Sequence, residues 1–284
     1  LVLGEARSKQ KDNDDKIIGT STGYPDLDAL TSGFQPSDLL ILAARPAMGK
    51  TTLAMNFATN LAVKQNEAVA IFSLEMPKEQ LAMRLLSSES KLDSKRLRTA
   101  NLLEHEYKDL VQALGMLSEA PLYIDDTPSI SPLDLRAKTR RLQLEADIKL
   151  IVIDYLQLMK SGRKRPEGRF QEVSEIVREI KAFAKESGIP IIALSQLSRD
   201  VEKRTGDDRR PRLSDLRESG EIEQTADLVL FIHRDDYYQQ VADNDNLGLS
   251  PTELVIAKHR NGPTGIVNLM FRKDNSQFLS ADMS

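Results

Sequence analysis

The 284-residue chain carries a net charge of only −4, three histidines and no cysteine. It is long enough for one large domain with a full core, or one domain plus a short arm. Lack of cysteine excludes disulfides and thiolate metal sites and fits a reducing cytoplasm, and three scattered histidines argue against zinc. Apolar runs such as Leu39–Ala44 are far short of the ~18 residues of a spanning helix, so no membrane partner is expected. With so little net charge, contact with nucleic acid has to come from local basic patches. The first residue is Leu1 and no signal peptide is visible, which predicts a piece of a longer chain.

Residues 1–20 are polar and charged (Lys9, Lys11, Asp12, Asp14, Asp15, Lys16) and read as a linker or arm, in part helical or disordered. A compact domain is expected over 21–284. Short apolar runs at Leu39–Ala43, Ala68–Leu74, Leu122–Ile124, Leu150–Asp154 and Ile189–Ser195 read as buried strands. Between them, Leu53, Phe57 and Leu61 recur at helical spacing, Ser131-Pro132 resembles a helix cap, and Val173, Ile176, Val177 and Ile180 line one helix face. Runs at Leu228–His233, Leu254–Ala257 and Ile266–Phe271 read as further, partly antiparallel strands. The alternation predicts an α/β fold with a mostly parallel sheet and ligands at the carboxyl ends of its strands.

The chemistry concentrates at those ends. Ala44-Arg45-Pro46-Ala47-Met48-Gly49-Lys50-Thr51-Thr52 joins the first strand to a helix and reads as a phosphate-binding loop, with Ala44 where the usual pattern has its first glycine. Backbone N–H groups of such a loop cradle phosphates, its lysine reaches the β- and γ-phosphates, and its threonine hydroxyl binds Mg²⁺. Those roles fall to Lys50 and Thr51. Asp154 ends an apolar strand, as an acid orienting the Mg²⁺ shell would. Glu75 ends another run, as a water-polarising base or as an acid before a helix beside Pro77. Gln196 ends a third, as a γ-phosphate sensor or a solvent-facing amide. Lys258 and Arg260 project to one side of a strand end, as cations for a γ-phosphate or as an ordinary basic hairpin.

Two basic stretches follow strand ends. One holds Lys160, Arg163, Lys164, Arg165 and Arg169. The other holds Arg199, Lys203, Arg204, Arg209, Arg210, Arg212 and Arg217, with acids interspersed. Their scarcity of aromatics favours sequence-independent phosphate contact over base stacking, if they are more than solvated loops.

The chain resembles the carboxyl-terminal RecA-like motor domain of bacterial replicative DNA helicases of the DnaB type. The resemblance rests on Pro25-Asp26-Leu27-Asp28, the loop Ala44–Thr51, Ser73-Leu74-Glu75-Met76, Ile153–Met159, Leu194–Arg199, Asp215–Gln224 and Lys258–Pro263, in family order over about residues 20–273. It implies a RecA-like P-loop NTPase fold, in which Ala44 is a family trait. Residues Arg45, Pro46, Ala47, Met48, Gly49, Lys50, Thr51 and Thr52 would hold ATP, with Thr51 and Asp154 at Mg²⁺. Glu75 would be the catalytic carboxylate, Gln196 the sensor, and Lys258 with Arg260 the pair that reaches a neighbouring subunit's γ-phosphate. Arg217, Glu218 and Gly220 match the loop that follows single-stranded DNA, with Arg217 and Gly220 as the phosphate contacts. The family implies a homo-hexameric ring that moves 5′ to 3′ on single-stranded DNA, with primase and a helicase loader as partners of the full-length protein. The other reading of the same motifs is a recombinase or clock-type ATPase that does not unwind DNA.

Overall fold

The computed structural model describes residues 17–162, 168–204, 209–216, 220–239 and 248–281. Apolar runs without polar alternation pair as parallel strands, because a strand covered on both faces needs no polar side. These are β1 (Leu39–Ala44), β2 (Ala68–Ser73), β3 (Leu122–Asp125), β4 (Ile148–Asp154), β5 (Ile191–Gln196) and β6 (Leu228–His233). Strand β3, expected to be buried, is the edge strand and only half-buried, because it has a neighbour on one side alone. Three antiparallel strands, β7 (Leu249–His259), β8 (Gly265–Arg272) and β9 (Gln277–Ser280), extend the same sheet. The order is β3-β2-β4-β5-β1-β6-β7-β8-β9, which puts β1 between β5 and β6.

Alternate residues of β1 feed the two core layers. Leu40, Leu42 and Ala44 share one cluster with Leu53, Phe57 and Leu61, from helix α2 (Lys50–Thr59) and the π-helical turn that extends it. Leu39, Ile41 and Ala43 share the other with Val173, Ile176, Val177 and Ile180 of α7 (Arg169–Ser187). Each fully buried side chain of this size contributes roughly 1.5–3 kcal/mol, so both layers hold β1 firmly. The remaining helices are α1 (Pro25–Thr31), α3 (Lys78–Ser90), α4 (Ser94–Arg98), α5 (Glu104–Glu119), α6 (Pro132–Leu142), α8 (Gly220–Thr225) and α9 (Asp235–Gln239). The Ser131-Pro132 cap forms as its sequence suggests, with the Ser131 hydroxyl accepting from the Asp134 N–H.

Details depart from the sequence pattern at strand ends. β5 begins at Ile191 because Pro190 has no N–H to give to the ladder, although its carbonyl accepts from Ile151. β7 starts at Leu249, well before the apolar run, and β9 has no apolar run of its own. Gly19 and Thr20 already belong to the folded body, since they hydrogen-bond to Ser32 and Phe34.

Candidate functional site

Because β1 and α2 are both anchored, the five residues between them form a fixed loop. Ala47 and Gly49 have φ of 63° and 95°, and the Met48 N–H donates to the Arg45 carbonyl at 3.3 Å, a tight turn of the kind that forms an anion-binding nest. A side chain at Gly49 would be strained by its φ, and its Cβ would meet Phe278 Cζ at 2.8 Å unless one of them moved. Two side chains of the loop face away from the nest. Met48 is fully buried, and Arg45 is 6% exposed, with Nη1 donating to the Leu197 carbonyl (2.8 Å) and Nε and Nη2 to Glu202 Oε1 (2.9 and 2.7 Å). Any phosphate contact from residues 45–49 is therefore made by backbone.

Neighbouring strands bring Lys50, Thr51, Asp154, Glu75 and Gln196 to the same cleft. Gln196 is the register partner of Ala44, and Asp154 that of Ser73. Thr51 Oγ1 donates to Asp154 Oδ2 at 2.7 Å, while Asp154 Oδ1 is buried without a partner. An unsatisfied buried carboxylate oxygen beside a hydroxyl is a costly arrangement for a protein alone. It suits a divalent cation, and Mg²⁺ takes few protein ligands because phosphate oxygens and water complete its shell. Among the described residues no cluster of three His, Cys, Asp or Glu exists that would hold a metal without a nucleotide.

Glu75 is exposed at the cleft, on a turn fixed by hydrogen bonds between Ser73 Oγ and the Met76 backbone. Lys50 Nζ lies 4.6 Å from the Tyr155 ring centroid. Burial lowers the Lys50 pKa, and the carboxylates of Asp154 and Glu75 oppose that shift. The cleft holds about 520 Å³. Its outer part is lined by Arg84, Ser94, Phe271 and Ser276, none of which the sequence pattern singles out. Their only signal is position beside the loop, and that appears once α3, α4 and the β8–β9 turn are folded.

Lys258 and Arg260 are not part of this cleft. Val229, near the start of β6, is the register partner of Lys258 and of Ile41 in β1, and Arg260 N donates to the Asp227 carbonyl. Lys258 is thus level with Ile41 and Arg260 lies at the amino-terminal edge of the parallel strands, whereas Lys50 follows the carboxyl edge. Across the six residues of β1 the two edges are about 17 Å apart at ~3.3 Å per residue.

Of the residues expected at DNA, Gly220 opens α8, and Arg217 and Glu218 lie outside the described residues. Arg163, Lys164 and Arg165 also lie outside them. Several other cations are taken up by carboxylates: Arg204 by Asp215, Arg210 by Glu253 (2.7 Å), and Arg169 by Glu172. A backbone bridge joins Leu197, next to Gln196, to Leu216, next to Arg217.

The model of the DnaB-like helicase C-terminal domain matches residues 19–280. A relative from Geobacillus stearothermophilus, the replicative DNA helicase DnaB, is 52% identical over 95% of this chain and 58% of its own length. The chain thus spans little more than half of that relative. Among solved structures, an isolated ATPase domain superposes with a TM-score of 0.89 at 35% identity, covering 98% of this chain and 97% of that one. A DnaB-like replicative helicase, described together with its interactions with primase, gives 0.88 at 35% identity, covering 98% and 66%. Matched from residue 19 to residue 280 and sharing the RecA-like fold of those structures, the chain belongs to the DnaB-like helicase C-terminal domain family.

Proposed function

We propose that this chain is the ATP-hydrolysing motor of a replicative DNA helicase, acting in a homo-hexameric ring that moves 5′ to 3′ on single-stranded DNA. The observation that carries the reading is the separation of two sets of charged residues along one sheet. The phosphate loop, Glu75, Asp154 and Gln196 meet at the carboxyl edge, while Lys258 is level with Ile41, about 10 Å back along β1, and Arg260 lies at the amino edge beside Asp227. Those two side chains cannot reach their own cleft, so they complete a neighbour's. A closed ring of such heterologous contacts gives every cleft a partner.

In this reading the backbone of residues 45–49 holds the phosphates and Lys50 neutralises the β- and γ-oxygens. Thr51 and Asp154 would hold Mg²⁺, which would supply positive charge against the phosphates. Glu75 orients the attacking water and takes its proton. Lys258 and Arg260 of the adjacent subunit stabilise the charge that spreads over the transferred phosphoryl group. Gln196 senses that group, and the Leu197–Leu216 bridge carries its state toward Arg217, Glu218 and Gly220 at the DNA backbone. The motor domain begins at about Gly19, and contacts with primase, as in the related helicase described with primase, and with a loader belong to the full-length protein.

A forked duplex with a 5′ single-stranded tail tests the proposal together with particle imaging. Six-fold rings and ATP-dependent strand displacement are expected. A helical filament that pairs strands would point instead to a recombinase-type ATPase.

A further inference from the structure

Asp227, the residue immediately before β6, is 2% exposed, yet its carboxylate faces two ways. Oδ2 accepts from the Leu39 N–H at 2.9 Å and from buried Lys181, whose Nζ also donates to the Ser37 carbonyl at 2.8 Å. That side ties α7 to the start of β1 and neutralises the Asp227 charge within the fold. Oδ1 points outward and accepts from Arg260 Nη1 at 3.0 Å. Arg260 is half exposed, and a pair at such a position is screened and adds little to folding stability. What the contact does provide is direction. Two atoms of one residue, the Asp227 carbonyl on the Arg260 N–H (2.8 Å) and Oδ1 on the guanidinium, fix both ends of Arg260.

The second cation is held from the same segment. Lys258 Nζ donates to the carbonyls of Glu223 (2.6 Å) and Gln224 (3.1 Å), the last turn of α8, four and three residues before Asp227. Carbonyls at a helix carboxyl end are unsatisfied and attract cations. One short segment, 223–227, thus cradles both side chains.

We infer that Asp227 is a positioning residue for ATP hydrolysis at the neighbouring subunit, holding Arg260 in the orientation that the neighbour's γ-phosphate requires. The inference rests on the trans role proposed above for Arg260. Preorganisation of this kind is sensitive, because misplacement by about 1 Å can cost on the order of a hundredfold in rate.

The test is a double-mutant cycle in the assembled protein, measuring ATP turnover and the affinity of each variant for a non-hydrolysable ATP analogue. Asp227→Asn is expected to lower kcat about tenfold or more, with KM and analogue affinity within about twofold, because its own cleft is untouched. In an Arg260→Ala background the same change is expected to have no further effect on kcat. If Asp227→Asn slows Arg260→Ala by the factor that it slows the parent, Asp227 is merely structural and the inference is overturned. If Arg260→Ala itself retains full turnover, the trans role fails, and this inference with it. Should Asp227→Asn fold poorly beside Lys181, Asp227→Glu keeps the charge while displacing the carboxylate. It carries the same expectation through the same cycle.

Discussion

Glu75 and Gly49 show how differently two residues of one cleft are constrained. Glu75 stands exposed on a hydrogen-bonded turn and is held by little besides its backbone. Glu75→Gln is therefore expected to leave the fold and ATP binding intact and to lower turnover by on the order of a hundredfold or more, as for loss of a general base. Single-turnover hydrolysis beside analogue binding measures both, and retained turnover would remove Glu75 from the role. Gly49 is confined by its φ of 95° and by Phe278 beneath it. Gly49→Ala meets both a left-handed backbone penalty of about 1–2 kcal/mol and a steric overlap. A loss of nucleotide affinity of at least about tenfold is expected from a fluorescent-analogue titration. Wild-type affinity would mean that the loop can shift off Phe278.

At the scale of elements, the amino edge of β1 collects charge. Asp38 precedes the strand, and its pKa is pushed up to about 6 by burial, with Asp227 adding to the rise and Lys181 and Arg260 opposing it. A folded-state pKa above the usual carboxylate value means that protonation favours the native form. The stabilisation is present at low pH and lost as pH rises through about 6. After allowance for solvent screening the effect is on the order of 1 kcal/mol. Asp38→Asn is neutral at every pH, so its melting temperature is expected to match the parent near pH 3.5, to gain on it as pH rises toward about 6, and to exceed it fully near pH 7.5. An advantage that does not change between those pH values would exclude Asp38 as the titrating group.

The same elements show what sequence reveals. Strands buried on both faces announce themselves as unbroken apolar runs, and the phosphate loop has a spacing that few other functions impose. β1, β2, β4, β5 and β6 and the cleft residues Lys50, Thr51 and Asp154 were legible for that reason, whereas Glu75 and Gln196 stayed open in the residue pattern and were assigned by the family resemblance. Helix α5 and its cap bear apolar residues on the outside as well, with Leu103, Tyr107, Val111 and Leu114 about half exposed or more, which blurs the period. β9 is four residues long and draws its stability from partners, the Asn56 side chain on the Phe278 N–H and Tyr24 on its carbonyl. Asp227 is one acid among 43 acidic residues, and its three partners come from residues 39, 181 and 260. Such convergence leaves no local pattern.

For the whole molecule, the separation of the two edges has a direct test by complementation. Lys50→Ala subunits lack a working phosphate loop but keep Arg260, and Arg260→Ala subunits are the reverse. Each alone is expected to retain only a small, measurable residue of the parent's turnover. Mixed in equal amounts and allowed to exchange, random ring closure would create complete sites at about a quarter of the interfaces, and hydrolysis should return to a comparable fraction. If the mixture stays as slow as its components under conditions where subunits exchange, Arg260 does not act across the interface.

The seat of Gly49 on Phe278 also bears on how the molecule comes into being. During synthesis, the phosphate loop emerges with neither of the strands that flank β1, since β5 and β6 follow about 150 and 190 residues later. The aromatic floor under Gly49 arrives last of all, with β9. A growing chain therefore carries the entire phosphate-binding motif for most of its elongation without possessing the site. On the proposed reading, nucleotide binding is expected only once the sheet has closed around its middle strand, and so would report that closure.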